Sequence, residues 1–182
     1  MKLVVFLGYK NSGKTTAIER TVRTLARAGF KVGTIKHLHG ARFSLDTPHK
    51  DTWRHARAGA SAVVAVASSE LVTMLKGDTR RMTAEEIARP LAREGFDYVL
   101  VEGLYRRIGS RRGVTYVLCA GNIGEAEDLL RKHPRVSCIT GRVAGGRSGK
   151  SFRGIPFVRL PRDREKLLEI LRTKRAPPGS SS

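Results

Sequence analysis

Apolar runs of five to seven residues alternate along the chain with longer stretches in which apolar positions recur every third or fourth residue, the signature of strands interleaved with helices. Leu3–Leu7 is an unbroken apolar run of the kind a central parallel strand shows. Residues 16–28 follow as a predicted helix, with Ile18, Val22 and Leu25 on one face and Gly29 as its stop. A second strand over Phe30–Lys36 completes a strand-helix-strand unit, which is right-handed by rule. Further on, the pattern predicts a short helix over Asp51–Ala58, a small-residue strand over Ala62–Ala67 buried on both faces, and a companion strand over Leu71–Leu75. Thr83 and Glu86 form a capping box that opens a helix running to about Arg93.

Phe96–Glu102, Gly113–Leu118 and Val136–Thr140 are the next predicted strands, with a helix over Glu125–Lys132 between the last two. Ile155–Val158 reads as an edge strand because of Pro156, and Asp163–Leu171 as a closing amphipathic helix. The expected architecture is α/β: three layers around a mostly parallel central sheet, one domain over residues 1–172, and a disordered basic, Pro- and Ser-rich tail over 173–182.

Chemistry enters where the first strand gives way to the first helix. Gly8-Tyr9-Lys10-Asn11-Ser12-Gly13-Lys14-Thr15 satisfies the phosphate-loop pattern G-x-x-x-x-G-K-[ST] in the strand-loop-helix context it requires. Main-chain amides and the helix dipole make an anion nest there, with Gly8, Asn11, Ser12, Gly13, Lys14, Thr15 and Thr16 as the nucleotide-binding candidates. Lys14 reaches the β/γ-phosphates, and the Thr15 hydroxyl is a ligand for Mg²⁺. Glu102 closes an apolar strand and is followed by Gly103, the position of the second acidic metal group, a Walker-B acid. Lys14 and Glu102 are therefore the catalytic candidates, and Thr15 and Glu102 the metal candidates. A strand that merely finishes on a polar residue is the competing reading of Glu102. Gly145–Ser151 echoes a phosphate loop without its spacing or a following helix and reads as a flexible connection.

Charge and cysteine content narrow the class. Thirty-five Lys and Arg against sixteen Asp and Glu give a net charge of +19, which attracts polyanions. With aromatics at 6% and no recognisable RNA- or DNA-binding motif, that attraction to nucleic acid is non-specific. Arg106, Arg107, Arg111 and Arg112 form a basic cluster after Glu102. Cys119 and Cys138 lie in apolar strands and read as small buried hydrophobes. No apolar run reaches membrane-spanning length and no signal peptide precedes the first strand, so a cytoplasmic protein is expected.

Beyond the phosphate loop, Val32–His39, Asp46–Thr52, Arg57–Ala60 and Leu100–Gly103 occur in an order that resembles the molybdopterin-guanine dinucleotide biosynthesis protein B (MobB) family. The resemblance covers about the first 105 residues; the chain departs from it at His49, where the family has glycine, and at Thr52, where it has serine. It implies a GTP-binding accessory protein of molybdenum or tungsten cofactor assembly. Such a protein is a weak GTPase and a homodimer, assisting a MobA-like guanylyltransferase that attaches GMP to molybdopterin, with GTP, Mg²⁺ and molybdopterin as ligands. It also implies a second functional cluster of Lys36, His37, Asp46, Lys50 and Asp51. No Asn-Lys-x-Asp segment is present, so the preference for guanine follows from the resemblance alone.

Two other functions fit the residues: a small-molecule kinase using Asp46 or Asp51 as base, and a nucleic-acid-stimulated ATPase. His37, His39, His49 and His55 are close in sequence, and contact with phosphate or pterin explains them better than a metal site, since their spacing matches no zinc pattern.

Overall fold

A computed structural model describes residues 1–38, 46–108 and 112–172, except for the side chains of Ala84, Arg106 and Arg107. Along the chain come β1 (Lys2–Leu7), α1 (Lys14–Arg27), β2 (Val32–Lys36), α2 (Asp51–Arg57), β3 (Ala62–Val66), β4 (Leu71–Leu75), α3 (Ala84–Arg93), β5 (Tyr98–Glu102), α4 (Tyr105–Ile108), β6 (Thr115–Cys119), α5 (Ile123–Lys132), β7 (Cys138–Thr140), β8 (Ser151–Phe152), β9 (Ile155–Pro156) and α6 (Arg164–Arg172). They gather into two compact units, one made of residues 1–37 and 83 onward, the other of 38–82.

The first unit is built on a five-stranded sheet in the order β2-β5-β1-β6-β7, parallel throughout. Successive side chains of a strand point to opposite faces, and both faces here are covered. Val4, Phe6, Leu100, Val117 and Cys138 pack with Ile18 and Leu25 of α1 and Leu167 and Leu171 of α6. Val5, Leu7, Val101, Leu118 and Ile139 pack with Ala126, Leu129 and Leu130 of α5, and Ile87 and Leu91 of α3 lie against the same cluster. This double coverage explains why β1, β5 and β6 read as unbroken apolar runs. The capping box at α3 is present: the Glu86 amide donates to the Thr83 hydroxyl at 3.2 Å, and the Thr83 amide to the Glu86 carboxylate at 2.7 Å. Cys119 and Cys138 are free and fully buried, and burial pushes both thiols up, Cys138 to about 12.

The expectation that Ala62–Ala67 is buried on both faces is not met. Among the described residues β3 pairs only with β4, antiparallel, in a two-stranded ribbon of the second unit, and Val64 and Val66 are 55% and 77% exposed. A small-residue apolar run records what a strand can bury, but not which layers exist to bury it. The expected edge strand is short: Ile155–Pro156 pairs with Ser151–Phe152 as a hairpin, and Phe157 then bridges Ile139 of β7, in parallel, at the edge of the sheet. Gly145–Ser151 is a sequence of hydrogen-bonded turns, with Gly146 and Gly149 at positive φ and the Ser148 hydroxyl donating to Asp163 at 2.7 Å. The connection was expected to be flexible; glycine freedom is used here to make turns. Among the described residues no helix is long and apolar enough to cross a membrane.

Candidate functional site

The first unit brings three of the sequence candidates into one row. In register, Phe6 of β1 stands beside Glu102 of β5, which stands beside Lys36 of β2. The carboxyl end of β5 therefore lies next to the turn that leaves β1, where open parallel sheets hold their ligands. The Thr15 hydroxyl, in the first turn of α1, donates toward both Glu102 oxygens at 3.4 Å, and the Lys36 ammonium lies 3.6 Å from Glu102 Oε2.

This spacing can be tested against a metal. Oxygens at adjacent corners of an octahedron with bonds of about 2.1 Å stand about 3 Å apart, close to the Thr15–Glu102 separation. Lys36 is 56% exposed, and an ion pair so open to water is worth at most about 1 kcal/mol. Its ammonium is therefore displaced cheaply toward a phosphate oxygen. The donor set is a hydroxyl and a carboxylate, the hard oxygens that suit Mg²⁺.

The phosphate loop itself is shaped by backbone sterics. Asn11 and Gly13 take left-handed φ of 62° and 87°, which turns the chain into the first turn of α1. A Cβ on Gly8 would lie 2.4 Å from the Ser12 hydroxyl and 2.5 Å from the Cys119 carbonyl, so only glycine fits there. The Lys14 ammonium donates to the carbonyls of Gly8 at 3.0 Å and Tyr9 at 2.5 Å, which stations it over the mouth of the loop. Thr16 is exposed in the same turn, while the Ser12 hydroxyl is buried and has no hydrogen-bond partner among the described residues. A buried donor without a partner costs about 1–3 kcal/mol, a strain carried inside this loop.

The second-loop candidates divide between the two units. Lys36 ends β2 and His37 follows it, its amide donating to the Glu102 carbonyl at 2.9 Å. A Cβ on Gly103 would lie 2.8 Å from His37 Cβ, so that glycine permits the close approach. Asp46, Lys50 and Asp51 belong to the second unit. There the Thr52 hydroxyl donates to Asp46 at 2.9 Å, and Asp51 lies 3.6 Å from Arg54 at the start of α2. His49 faces Trp53 at 5.1 Å, His55 lies in α2, and His39 falls outside the described residues, as does Arg111 of the basic cluster. Among the described residues no three His, Cys, Asp or Glu side chains are grouped as a metal site.

Two features of the site had no sequence signal. Gly141, after β7, has φ of 95°, and a Cβ there would meet the Ala120 carbonyl at 2.6 Å and the Ser12 carbonyl at 3.0 Å; it lets the β7 turn abut the phosphate loop. Tyr9 is tied to Asp128 and Lys132 of α5, a pairing across more than a hundred residues that no local pattern records.

Comparison with known proteins adds to this geometry. A sequence profile for molybdopterin guanine dinucleotide synthesis protein B (MobB) matches residues 3–112. The molybdopterin-guanine dinucleotide biosynthesis adapter protein of Haemophilus influenzae is 34% identical over 101 residues, 56% of this chain and 56% of that protein. A counterpart from Methanocaldococcus jannaschii, described as a putative adapter protein, is 34% identical over 103 residues, covering 57% of this chain and 41% of that one. The matched stretch thus spans about half the length of these curated relatives. Bacillus subtilis MobB superposes with a TM-score of 0.71 at 24% identity, covering 94% of this chain and 99% of that one. A MobB homologue from Bacillus stearothermophilus gives 0.65 at 22% identity, with the same coverage. These likenesses carry the fold, and the profile match runs without a break from β1 through the phosphate loop and past Glu102: the chain belongs to the MobB family.

Proposed function

We propose that this protein is a GTP-binding accessory protein of molybdenum cofactor biosynthesis, assisting the transfer of a guanylyl group to molybdopterin by a MobA-like partner. The observation that carries the reading is the convergence of Thr15, Glu102 and Lys36 beside the phosphate loop. Membership of a family whose relatives are named as molybdopterin-guanine dinucleotide biosynthesis adapter proteins supports it.

In this reading the amides of Gly8 to Thr16 hold the phosphate chain, and Lys14 leaves its carbonyl partners for the β/γ-phosphates. Thr15 and Glu102 would hold Mg²⁺, which would supply charge neutralisation for the phosphates. Hydrolysis is slow, as the family resemblance implies. Lys36 and His37 of the first unit and, separately, Asp46, Lys50 and Asp51 of the second are the further functional candidates that the family resemblance implies. The protein works in the cytoplasm as a homodimer. Exposed Val64, Val66, Leu71 and Leu75 on the β3–β4 ribbon offer an apolar surface for the second copy.

A small-molecule kinase is the second reading. It is favoured by a groove of about 380 Å³ between α1 and β2, floored by Ile18, Val22 and Leu100 and opening beside Thr15 and Lys36. Titrating GTP and ATP by calorimetry, with and without Mg²⁺, tests the site. Adding guanylyltransferase and molybdopterin then tests the role. Preference for GTP and faster dinucleotide formation are expected. Substrate-dependent γ-phosphoryl transfer without any effect on dinucleotide formation would favour the kinase.

A further inference from the structure

Residues 142–166 hold eight Lys or Arg against two Asp or Glu, a denser excess of cations than the chain carries as a whole. They lie beyond the stretch of residues 3–112 that the family profile matches. The proposed function gives them no task.

The fold draws this segment into one surface. In the turns of Gly145–Ser151 the Ser148 hydroxyl donates to Asp163 at 2.7 Å, and the Arg159 amide donates to the same carboxylate at 2.8 Å. The Phe157 amide donates to the Lys150 carbonyl at 2.9 Å. The Arg147 guanidinium reaches the Val143 carbonyl at 2.8 Å and lies 5.9 Å from the Phe157 ring. The turns are thereby tied to the chain that leads into α6, and Arg142, Arg147, Lys150, Arg159 and Arg162 stand on a common scaffold.

Most of these cations lack a carboxylate partner. Among the described residues the ion pairs of the segment are Arg153 with Glu127, Arg164 with Glu165 and Lys166 with Glu169, and none of the other five cations forms one. Asp163 is already engaged: the Ser148 hydroxyl and the Arg159 amide hold its carboxyl below the usual carboxylate range, helped by the charges of Arg159 and Arg162. Glu125, which flanks Gly121 together with Arg142, accepts from the Gly121 amide at 2.7 Å. Arg142, Lys150 and Arg162 are exposed.

The kind of partner follows from what the surface offers and what it lacks. Six of the eight cations are arginine, whose planar fork meets two phosphate oxygens at once. Glycines at 145, 146 and 149 keep side chains away from the turn, so a polyanion can come close to the backbone. A docked protein needs an apolar centre to its interface, and no large apolar side chain of residues 142–172 is exposed.

We propose that the surface formed by residues 142–163 binds the phosphodiester backbone of nucleic acid without reading its sequence. This is an activity apart from the phosphate loop, and it does not rest on the reading of that loop.

The probe is a fluorescein-labelled oligouridylate of about 15 nucleotides, the upper range of what one small domain covers. It is titrated by anisotropy into the full chain over a salt series, with and without a non-hydrolysable GTP analogue and Mg²⁺. Saturable binding of equal affinity in both conditions is expected. Each phosphate contact on a single strand adds about 0.7 to the slope of log affinity against log salt. Arg142→Ala, Lys150→Ala and Arg162→Ala combined should therefore lower the slope by about 2 and weaken binding about a hundredfold at about 0.1 M salt. The matched control, Arg27→Ala, Arg89→Ala and Arg93→Ala, removes three exposed cations from α1 and α3 and should leave affinity within about threefold, since charges are screened beyond about 10 Å. Circular dichroism checks that both sets fold. Arg142→Lys with Arg162→Lys keeps the charge and should keep the slope, while Lys150→Glu, a single change at an exposed turn, should lower it even if the triple variant fails to fold.

Absence of saturable binding to the parent would overturn the proposal. Equal losses in the test and control sets would do the same, because overall charge alone would then attract the strand. Displacement by the GTP analogue would place the oligonucleotide in the phosphate loop, and competition by polyglutamate as strong as by unlabelled oligonucleotide would assign the surface to acidic proteins; either result rejects nucleic acid as its partner. A separate GTP titration reads the phosphate loop, so the two sites fail or stand independently.

Discussion

β5 and β3 are both five-residue strands rich in valine, yet they end in opposite situations. Tyr98, Val99, Leu100 and Val101 of β5 are at most 3% exposed, while Val64 and Val66 of β3 stand largely in water. β5 is hydrogen-bonded on both sides, to β1 and β2, and covered by helices on both faces. β3 has one antiparallel partner and no second layer among the described residues of its unit, apart from α2 packed at its start. The same composition serves a rigid platform in one unit and an uncovered surface in the other. The platform is where groups can be held to within tenths of an ångström, and it is there that Thr15, Lys36 and Glu102 meet. The ribbon is where a partner can gain from burying apolar area.

Truncation should expose that contrast most strongly in the platform. Leu118→Ala, at a fully buried position of β6, should cost about 2–5 kcal/mol in urea unfolding. A cost below 1 kcal/mol would mean that the sheet is less tightly packed than described. Lys14→Ala should leave the unfolding midpoint unchanged and weaken nucleotide binding by about tenfold to a hundredfold in calorimetry, the worth of one charged hydrogen-bonding group. Unchanged affinity would remove the phosphate-loop assignment.

Glu102→Gln should raise the Mg²⁺ concentration needed for hydrolysis by about tenfold and change nucleotide affinity less. Equal hydrolysis in mutant and parent would count against a metal role. Thr83→Ala, which removes half of a capping box, should cost about 1 kcal/mol. At the other extreme, Val66→Asp should change unfolding by no more than about 0.5 kcal/mol at concentrations where the parent is monomeric. In sedimentation at higher concentration it should abolish the dimer that the proposed function expects of the parent. If Val66→Asp proves as costly as Leu118→Ala, the ribbon is covered within the monomer and the contrast fails.

Much of the platform was legible because it is written in local signals. The phosphate-loop spacing, the Thr83–Glu86 box and the apolar runs of β1, β5 and β6 each specify their own backbone, and the structure has all of them. The pairing of Thr15 with Glu102 was foreseeable only in kind: a carboxylate at a strand end is a common event, and it became a candidate because a phosphate loop preceded it. The link between Tyr9 and Asp128, and the abutment of Gly141 on Ser12, depend on strand order, which no window of ten residues contains. His49, Asp46 and Asp51 show the limit from the other side, since their sequence neighbourhood is clear while their chemistry depends on what approaches them.

The amino-acid sequence by itself determined most of the element types, the glycine-bearing turn after β1 and the family, because these rest on periodicity, on glycine at positions that tolerate no Cβ, and on side-chain chemistry at short range. Tertiary structure alone decided which apolar strands are buried, which carboxylate stands beside Thr15 and Lys36, and which cations gather on one surface. Those outcomes follow from how parallel strands are ordered and layered, and strand order is set by the summed packing of residues far apart in the chain.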